Sequence, residues 1–217
     1  MTNSTTPTQL ERLGAWGAFF EAFAYLIGFV VMLFFLTPDE GEELLPFLLK
    51  HKTLYQWWML IIYVVFGIVL VPLVLALRQR LDKKPSISLK LGTIFGQVWV
   101  VLVIASGMIA HQGIDSVARV FPIDSRQAAI MWATFEGVQN GLGGGVEIVG
   151  GLWVLFVSIV ALRNQQLGKK TNYLGLIVGE AGILTVVPGL SELGAVFGLL
   201  QIVWFIAIGK ALLHPSN

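Results

Sequence analysis

The sequence lacks cysteine and contains few charged residues. None of its 217 residues is Cys, and only 12% are Asp, Glu, Lys or Arg, about half the fraction usual in a soluble protein. The absence of cysteine excludes disulfide bonds, thiolate metal sites and cysteine nucleophiles. The hydrophobic fraction of 56% and the mean hydropathy of +0.79 predict that residues 1–217 form a single integral membrane domain.

The sequence also lacks the common catalytic and nucleotide-binding motifs. It contains no HExxH zinc motif, no GxSxG nucleophile elbow, no Walker loop and no GxGxxG that opens a βαβ unit. The glycine-rich segment GLGGGVEIVGG at 141–151 is better explained as a packing surface or a break in a membrane helix. We therefore expect no enzymatic activity and no cofactor. The alternative is an intramembrane enzyme, which needs a nucleophile or a metal site, and for this the sequence offers only two outer histidines.

A net charge of +1 excludes the strongly basic surface that binds nucleic acid, because the 14 cations are scattered along the chain. We therefore expect no nucleic-acid partner. The expected partners are the lipid bilayer, a small solute or cation, and another membrane protein or a second copy of this chain.

Long apolar runs are the main feature of the sequence, and a helix of about 20 apolar residues crosses the hydrocarbon core of a membrane. We count six runs, at 13–36, 55–77, 91–111, 141–162, 173–190 and 194–213. They are expected to be helical, because other conformations leave backbone amides unpaired in lipid. The sequence thus predicts an all-α, six-helix, multi-pass bundle. The first run is longer than a signal-peptide core and should be retained as an anchor.

The distribution of lysine and arginine predicts the orientation of the bundle. Placing the N-terminus in the cytoplasm leaves ten of the 14 cations on the cytoplasmic side, and cytoplasmic loops are the ones enriched in Lys and Arg. We therefore predict that both termini are cytoplasmic. Trp57 and Trp58 fall at the outer end of the second span, where an interfacial aromatic belt is expected.

Four glutamates lie in or beside the apolar runs, at Glu21, Glu136, Glu147 and Glu180, and no Lys or Arg is deep enough to pair with them. A charged side chain at the centre of a membrane helix costs about 2.5–3.5 kcal/mol, and protonating a glutamate at pH 7 costs roughly 3.7 kcal/mol. Because the two penalties are similar, local partners decide the charge state, as a proton relay or a ligand pocket requires. The alternative is that protonated carboxyls hydrogen-bond neighbouring helices.

The length of the segment around Glu136 predicts a break in a helix. One continuous helix over 125–162 would be about 57 Å long, nearly twice the ~30 Å hydrocarbon core. We therefore predict a short outer helix at 125–140, capped by Asp124, and a break near 141–145. A glycine-rich break at membrane depth is tolerated only when it is buried in protein or lines water. This stretch should therefore face the interior of the bundle.

Helical spacing groups the polar residues of this segment. Glu136 and Glu147 are eleven residues apart, which is about three turns of a helix. In a continuous helix they share one face with Gln139 and Asn140.

A weak internal repeat relates two hairpins of the chain. The turns ALRQRLDKK and ALRNQQLGKK resemble each other, and each is followed by a helix. The pattern predicts a repeat of 55–111 and 141–190 in which Gln97 and Glu180 are equivalent, an arrangement that transporters use. The alternative is that both turns are ordinary cytoplasmic turns, which share cations and helix starts.

Two histidines are expected on the outer side of the membrane. Asp115 follows His111 by about one helical turn, and His51 precedes the second span. Together with Glu136 these residues allow an outer metal site, but their spacing matches no known ligand signature. The alternative is that both are ordinary interfacial histidines, and we expect no metal.

Two C-terminal segments carry a resemblance to a known family. They are GGGVEIVGGLWVLFVSIVALR at 143–163 and TNYLGLIVGEAGILTVVPGLSELGAVFGLLQIVWFIAIGKALL at 171–213. They resemble the bacterial multi-pass proteins catalogued as domain of unknown function 4386, and the first half of the chain resembles them only in its six-span layout. The resemblance implies a small helical protein of the bacterial cytoplasmic membrane. It implies no activity, substrate or functional residue.

Two functions are compatible with these residues. The first is a transporter or channel-like protein for a small solute or ion, coupled to protons through intramembrane glutamates. The alternative is a sensor, scaffold or accessory subunit of a membrane complex in which the glutamates are structural. The candidate residues for a ligand site or proton relay are Glu147, Glu180, Glu21, Glu136, Gln97, Gln139 and Asn140.

Overall fold

The structure is a computed structural model that describes residues 6–215, and within this range the chain forms helices and turns without strands. The α-helices are α1 Gln9–Phe35, α2 Leu44–Lys50, α3 Lys52–Met59, α4 Phe66–Leu81, α5 Ile87–Val120, α6 Ser125–Gln139, α7 Ile148–Arg163, α8 Lys169–Leu184 and α9 Leu193–Leu213. A π-helical segment, Leu60–Val65, joins α3 to α4, and a second, Asn140–Gly144, follows α6. The all-α fold class is therefore confirmed.

Short polar side chains define where several of these helices begin. Thr8 and Glu11 form a capping box, in which each side chain accepts a hydrogen bond from the backbone N–H of the other, at 3.2 and 2.8 Å. The Asp124 carboxylate accepts from the N–H of Gln127 at 2.9 Å and starts α6. Capping by Asp124 agrees with the prediction from the sequence.

Five helical segments within residues 6–215 are long and apolar enough to cross a membrane, which supports a membrane protein. They are Gln9–Phe35, Lys52–Leu81, Ile87–Val120, Ser125–Arg163 and Leu193–Leu213. The predicted count of six spans is not confirmed, because α8 has only 16 residues. A helix of this length is about 24 Å long, less than the ~30 Å hydrocarbon core.

The boundaries of two predicted spans differ from the structure. The run 173–190 contains a helix that ends at Leu184, because Pro188 disfavours a helical residue before it and Gly189 has φ +83°. The run 141–162 contains a helix that begins only at Ile148, after the break described below. In both cases the apolar run is longer than the helix, because it continues through a turn that contains apolar and glycine residues.

Hydrogen bonds from Arg80 connect the ends of three helices at one end of the bundle. Arg80, near the end of α4, forms an ion pair with Glu11 and donates through Nη2 to the carbonyl oxygens of Leu212 at 3.1 Å and His214 at 3.0 Å. The start of α1 and the end of α9 therefore lie together. We call this end of the bundle the basal end, and the end with α2 and α6 the apical end. The structure contains no membrane and does not assign these ends to its two sides.

Buried aromatic side chains fill the centre of the bundle. Trp99, Trp153, Trp204 and Phe205 are each at most 2% exposed, and their ring centroids form a chain with neighbours 5.4–5.6 Å apart. Edge-to-face and tilted contacts at this distance are favourable for aromatic rings. We call these four residues the aromatic stack. It joins α5, α7 and α9.

Glycines allow α7 and α8 to approach each other closely. A Cβ atom at Gly151 would lie 2.7 Å from the carbonyl oxygen of Gly179, and one at Gly182 would lie 2.9 Å from the Cα of Gly151. Such contacts let helices pack where lipid provides no hydrophobic drive. The outer faces of the bundle instead expose large apolar side chains, including Trp16 and Val101, as a surface in lipid requires.

Candidate functional site

The predicted helix break is present between α6 and α7. The π-helical segment Asn140–Gly144 ends in a turn at Gly143, where φ is +121°, a value that side-chain-bearing residues rarely adopt. The N–H of Val146 donates to the carbonyl oxygen of Asn140 at 3.2 Å and closes the turn. Glu147 is thereby placed as the residue directly before α7.

A hydrogen bond from the next hairpin fixes the backbone of Glu147. Its N–H donates to Oγ1 of Thr185 at 2.8 Å, and that hydroxyl donates to the carbonyl oxygen of Gly182 at 2.7 Å. Thr185 is buried at the end of α8, so it couples the break to the α8–α9 turn. The sequence analysis did not single out Thr185, because nothing in its sequence context distinguishes it from other turn residues.

A cavity of about 480 Å³ lies in the apical half, between α1, α3 with its π-helical segment, the α6–α7 break and the start of α9. It is lined by Glu136, Gln139, Asn140 and Glu147, the polar residues that the sequence groups around the break. Glu136 and Asn140 are exposed whereas Gln139 is buried, so the cavity extends from the surface into the bundle. The polar residues around the break therefore line the cavity, with Glu136 and Asn140 at its exposed part and Gln139 at its inner part.

Glu147 has a carboxylate oxygen that no side chain or backbone group satisfies. Its Oε2 atom is buried and has no hydrogen-bond partner among residues 6–215. An unsatisfied buried oxygen of a carboxyl group costs about 1–3 kcal/mol or more, so a proton, a water or a ligand at this position is favoured.

Aromatic rings form most of the remaining wall, in two groups. One group is Tyr25, Phe66 and Trp99, in which Phe66 packs against the other two rings at 5.5 and 5.7 Å. Glu147 is close enough to Tyr25 and to Tyr63 to interact electrostatically with both.

The second group is Tyr55, Trp58 and Trp132, with centroid distances from Tyr55 of 6.0 and 5.7 Å. Glu136 is close enough to Tyr55 to interact electrostatically with it. Trp58 donates from Nε1 to the carbonyl oxygen of Gly28 at 3.2 Å and so is only partly interfacial. Trp57 is exposed and fits the predicted belt, whereas the role of Trp58 in the cavity was missed.

Glu21 is in the interior but does not line this cavity. The residue is 0% exposed, and neither carboxylate oxygen has a hydrogen-bond partner within residues 6–215. Gln201 on α9 is also 0% exposed and its side-chain amide has no partner there. Glu21 lies one turn before Tyr25 on α1, so its carboxyl is on the basal side of the aromatic rings that line the cavity.

Glu180 and Gln97 do not face the interior, contrary to the prediction. Both are exposed, Glu180 on the outer face of α8 and Gln97 on that of α5. In α8 the face that packs against α7 contains Gly175, Gly179 and Gly182, and Glu180 is about 100° from Gly179. The spacing of these glycines in the sequence could have identified the packed face of α8, and so shown that Glu180 lies outside it.

The histidines and Asp115 do not assemble into a metal site. Nδ1 of His51 hydrogen-bonds the carbonyl oxygen of Phe47 at 3.0 Å, and Asp115 accepts from Nζ of Lys52 at 2.8 Å. In the part of the chain that the structure describes, no group of three His, Asp or Glu residues could hold a metal ion. The conceivable outer site of His51, His111, Asp115 and Glu136 is therefore not formed.

In comparisons with known proteins, no family model, no curated protein and no solved structure matches the chain. The resemblance to the bacterial multi-pass family thus stays a prediction. The repeat of 55–111 and 141–190 stays a prediction as well. Function must therefore be argued from the geometry of the cavity.

Proposed function

We propose that the protein is a small-solute or ion transporter of the bacterial cell membrane, with the apical cavity as its binding site. The proposed topology has six spans, with α8 as a short crossing helix and both termini cytoplasmic. The antiparallel packing of α8 on α7 along Gly151 supports a sixth crossing. The cations near the basal helix ends, such as Arg78, Lys83 and Lys169, support a cytoplasmic basal end.

The observation that carries the proposal is the position of Glu147 at a helix break that lines the cavity. Transporters place binding sites where membrane helices are interrupted, because the interruption frees backbone and side-chain groups to contact a solute. The unpartnered Oε2 atom gives this position a group that binds a proton or a cation. Competition between the two for one carboxylate would couple solute movement to protons.

The experiment is flux through liposomes that contain the purified protein and an entrapped pH-sensitive dye. We expect proton flux from the wild type and a loss of about tenfold or more in Glu147→Gln, which corresponds to about 1.4 kcal/mol or more at the barrier. Glu180→Gln is the matched control, because it makes the same chemical change on the outer surface. Equal flux in wild type, Glu147→Gln and empty liposomes would refute the proposal.

The exposure of Glu180 favours a second function, that of an accessory subunit in a membrane complex. Glu180 lies about 16 Å along α8 from Lys169 and is flanked on the same exposed stripe by Tyr173, Ile177 and Leu184. A carboxyl in an apolar stripe is costly in lipid and less costly against a polar partner.

Native mass spectrometry of protein extracted from its own membrane tests this second function. A complex of fixed stoichiometry that Glu180→Leu dissolves and Glu147→Gln preserves would support it. A monomer of the 23.8 kDa chain alone would contradict it.

A further inference from the structure

We propose that the apical cavity binds an organic cation with an apolar body, such as a substituted ammonium ion. The inference rests on the proposed function for transport and deepens it by naming the chemical class of the solute. It is carried by three properties of the cavity, which are its aromatic wall, the sign of its charged groups and its size.

The aromatic wall suits a cation that has lost part of its hydration shell. Tyr25, Phe66 and Trp99 lie at one part of the cavity, and Tyr55, Trp58 and Trp132 lie at another. The face of each ring has a negative potential that attracts a cation, and clusters of such rings recognise quaternary ammonium groups. An apolar substituent on the cation is buried against the same rings, so both the charged and the apolar part of the ligand make favourable contacts with them.

The charged groups of the cavity are all of one sign. The ionisable side chains that favour a cation are Glu136 and Glu147, and no Lys, Arg or His is among the described residues that line the cavity. Lys52, on the apical helix α3, pairs with Asp115 and does not line the cavity. An anion is therefore disfavoured at every position in the cavity.

The two carboxylates occupy different parts of the cavity. The exposed Glu136 is at the entrance, whereas the buried Oε2 atom of Glu147 is inside and lacks a partner. A cation can therefore be attracted at the entrance and neutralised at the inner position.

The size of the cavity separates an organic cation from an inorganic one. A volume of about 480 Å³ falls in the range of sites for drug-sized ligands, which is about 300–1,000 Å³. A metal ion would leave most of the aromatic wall without a contact, and no group of three His, Asp or Glu side chains in residues 6–215 could hold one. A neutral apolar molecule would fill the space but leave Glu147 without a partner.

The experiment compares two ligands of the same shape on the detergent-solubilised full-length protein. Benzyltrimethylammonium is the cation, and neopentylbenzene is its neutral isostere, in which carbon replaces nitrogen. Calorimetry and tryptophan fluorescence should show binding of the cation at least about tenfold tighter, which is 1.4 kcal/mol. Equal affinities for the two ligands, or no binding of the cation, would overturn the inference.

Variants locate the binding site. Glu147→Gln keeps the shape of the side chain and should lower the affinity for the cation at least about tenfold while leaving the affinity for the isostere unchanged. Trp132→Leu should weaken both ligands, because it removes part of the wall. Glu180→Gln should alter neither, because Glu180 is on the outer surface. Unchanged cation affinity in Glu147→Gln would place the ligand elsewhere and overturn the assignment.

The same cation in the liposome assay separates this inference from the proposed function. If benzyltrimethylammonium binds with the expected selectivity but is not taken up, the inference stands and the transporter function fails. If the protein carries protons or inorganic ions through Glu147 but does not select the cation over its isostere, the transporter function stands and the inference fails.

Discussion

The ion pair at the basal end gives the sharpest prediction of stability. Arg80 and Glu11 have side chains that are only 4% and 8% exposed, and Arg80 also donates to the carbonyl oxygens of Leu212 and His214. Removing one partner of a buried pair costs about 3–5 kcal/mol, because the other charge is left uncompensated. Glu11 keeps its hydrogen bond from the N–H of Thr8, so we expect Arg80→Met to cost about 3 kcal/mol.

A double-mutant cycle separates the pair from the carbonyl contacts. Glu11→Gln combined with Arg80→Met removes both charges, which leaves only the loss of the donors to α9, about 1–2 kcal/mol. The double variant should therefore be more stable than Arg80→Met alone. Arg78→Met is the matched control, because Arg78 is an exposed arginine two residues earlier in the same helix, and it should change stability by less than about 0.5 kcal/mol.

The measurement is the free energy of unfolding in detergent micelles, followed by tryptophan fluorescence as SDS is added. Two results would refute the reasoning. One is a cost below about 1 kcal/mol for Arg80→Met, which is the value for an exposed pair. The other is a double variant that is no more stable than the single one, which would show that the carbonyl contacts and not the ion pair matter.

Three further predictions concern other contacts. Gly151→Leu should separate α7 from α8 and lower the free energy of unfolding by about 1–3 kcal/mol, whereas Gly137→Ala, with no atom within 4 Å of its Cβ, should not destabilise the protein; unfolding in detergent checks both. Thr185→Val should lower the free energy of unfolding by about 1–2 kcal/mol and the affinity for benzyltrimethylammonium severalfold, because the N–H of Glu147 loses its acceptor. An unaltered affinity in calorimetry would contradict this. Lys52→Met and Asp115→Asn should each lower the free energy of unfolding in detergent by less than about 1 kcal/mol, because both side chains are about one-third exposed. A larger loss of stability would mean that the contact between α3 and α5 depends on this ion pair.

The sequence predicted the features that follow from length and local chemistry. The break before Glu147 followed from a helix too long for the membrane together with a run of glycines, and the cap at Asp124 followed from its position before a helix. These inferences need only the rise per residue and the preferences of individual side chains. They do not depend on which helices are neighbours.

The features that depend on which helix packs against which were not predictable in the same way. Glu180 was expected inside because carboxyls avoid lipid, but α8 presents its glycines to α7 and α9, and Glu180 lies on the face that remains exposed. The aromatic wall was missed because Tyr25, Tyr55 and Trp132 come from three distant parts of the chain. Nothing local to these residues distinguishes a cavity wall from an ordinary hydrophobic core.

The aromatic stack has a consequence for access to the cavity. Trp99 forms part of the cavity wall, and buried rings continue from it through Trp153 to Trp204. In the transport function that we propose, a solute at Glu147 reaches the basal end only if these indoles separate.

The layer that closes the bundle also contains polar atoms that water would satisfy. The Oγ atom of Ser158, the Nε1 atom of Trp204 and the amide of Gln201 are buried there with no hydrogen-bond partner within residues 6–215. Each of these groups gains hydrogen bonds when water reaches it, and these bonds offset part of the free-energy cost of separating the stacked side chains. In the transport function that we propose, these side chains form the gate, and the polar groups among them lower the cost of admitting water.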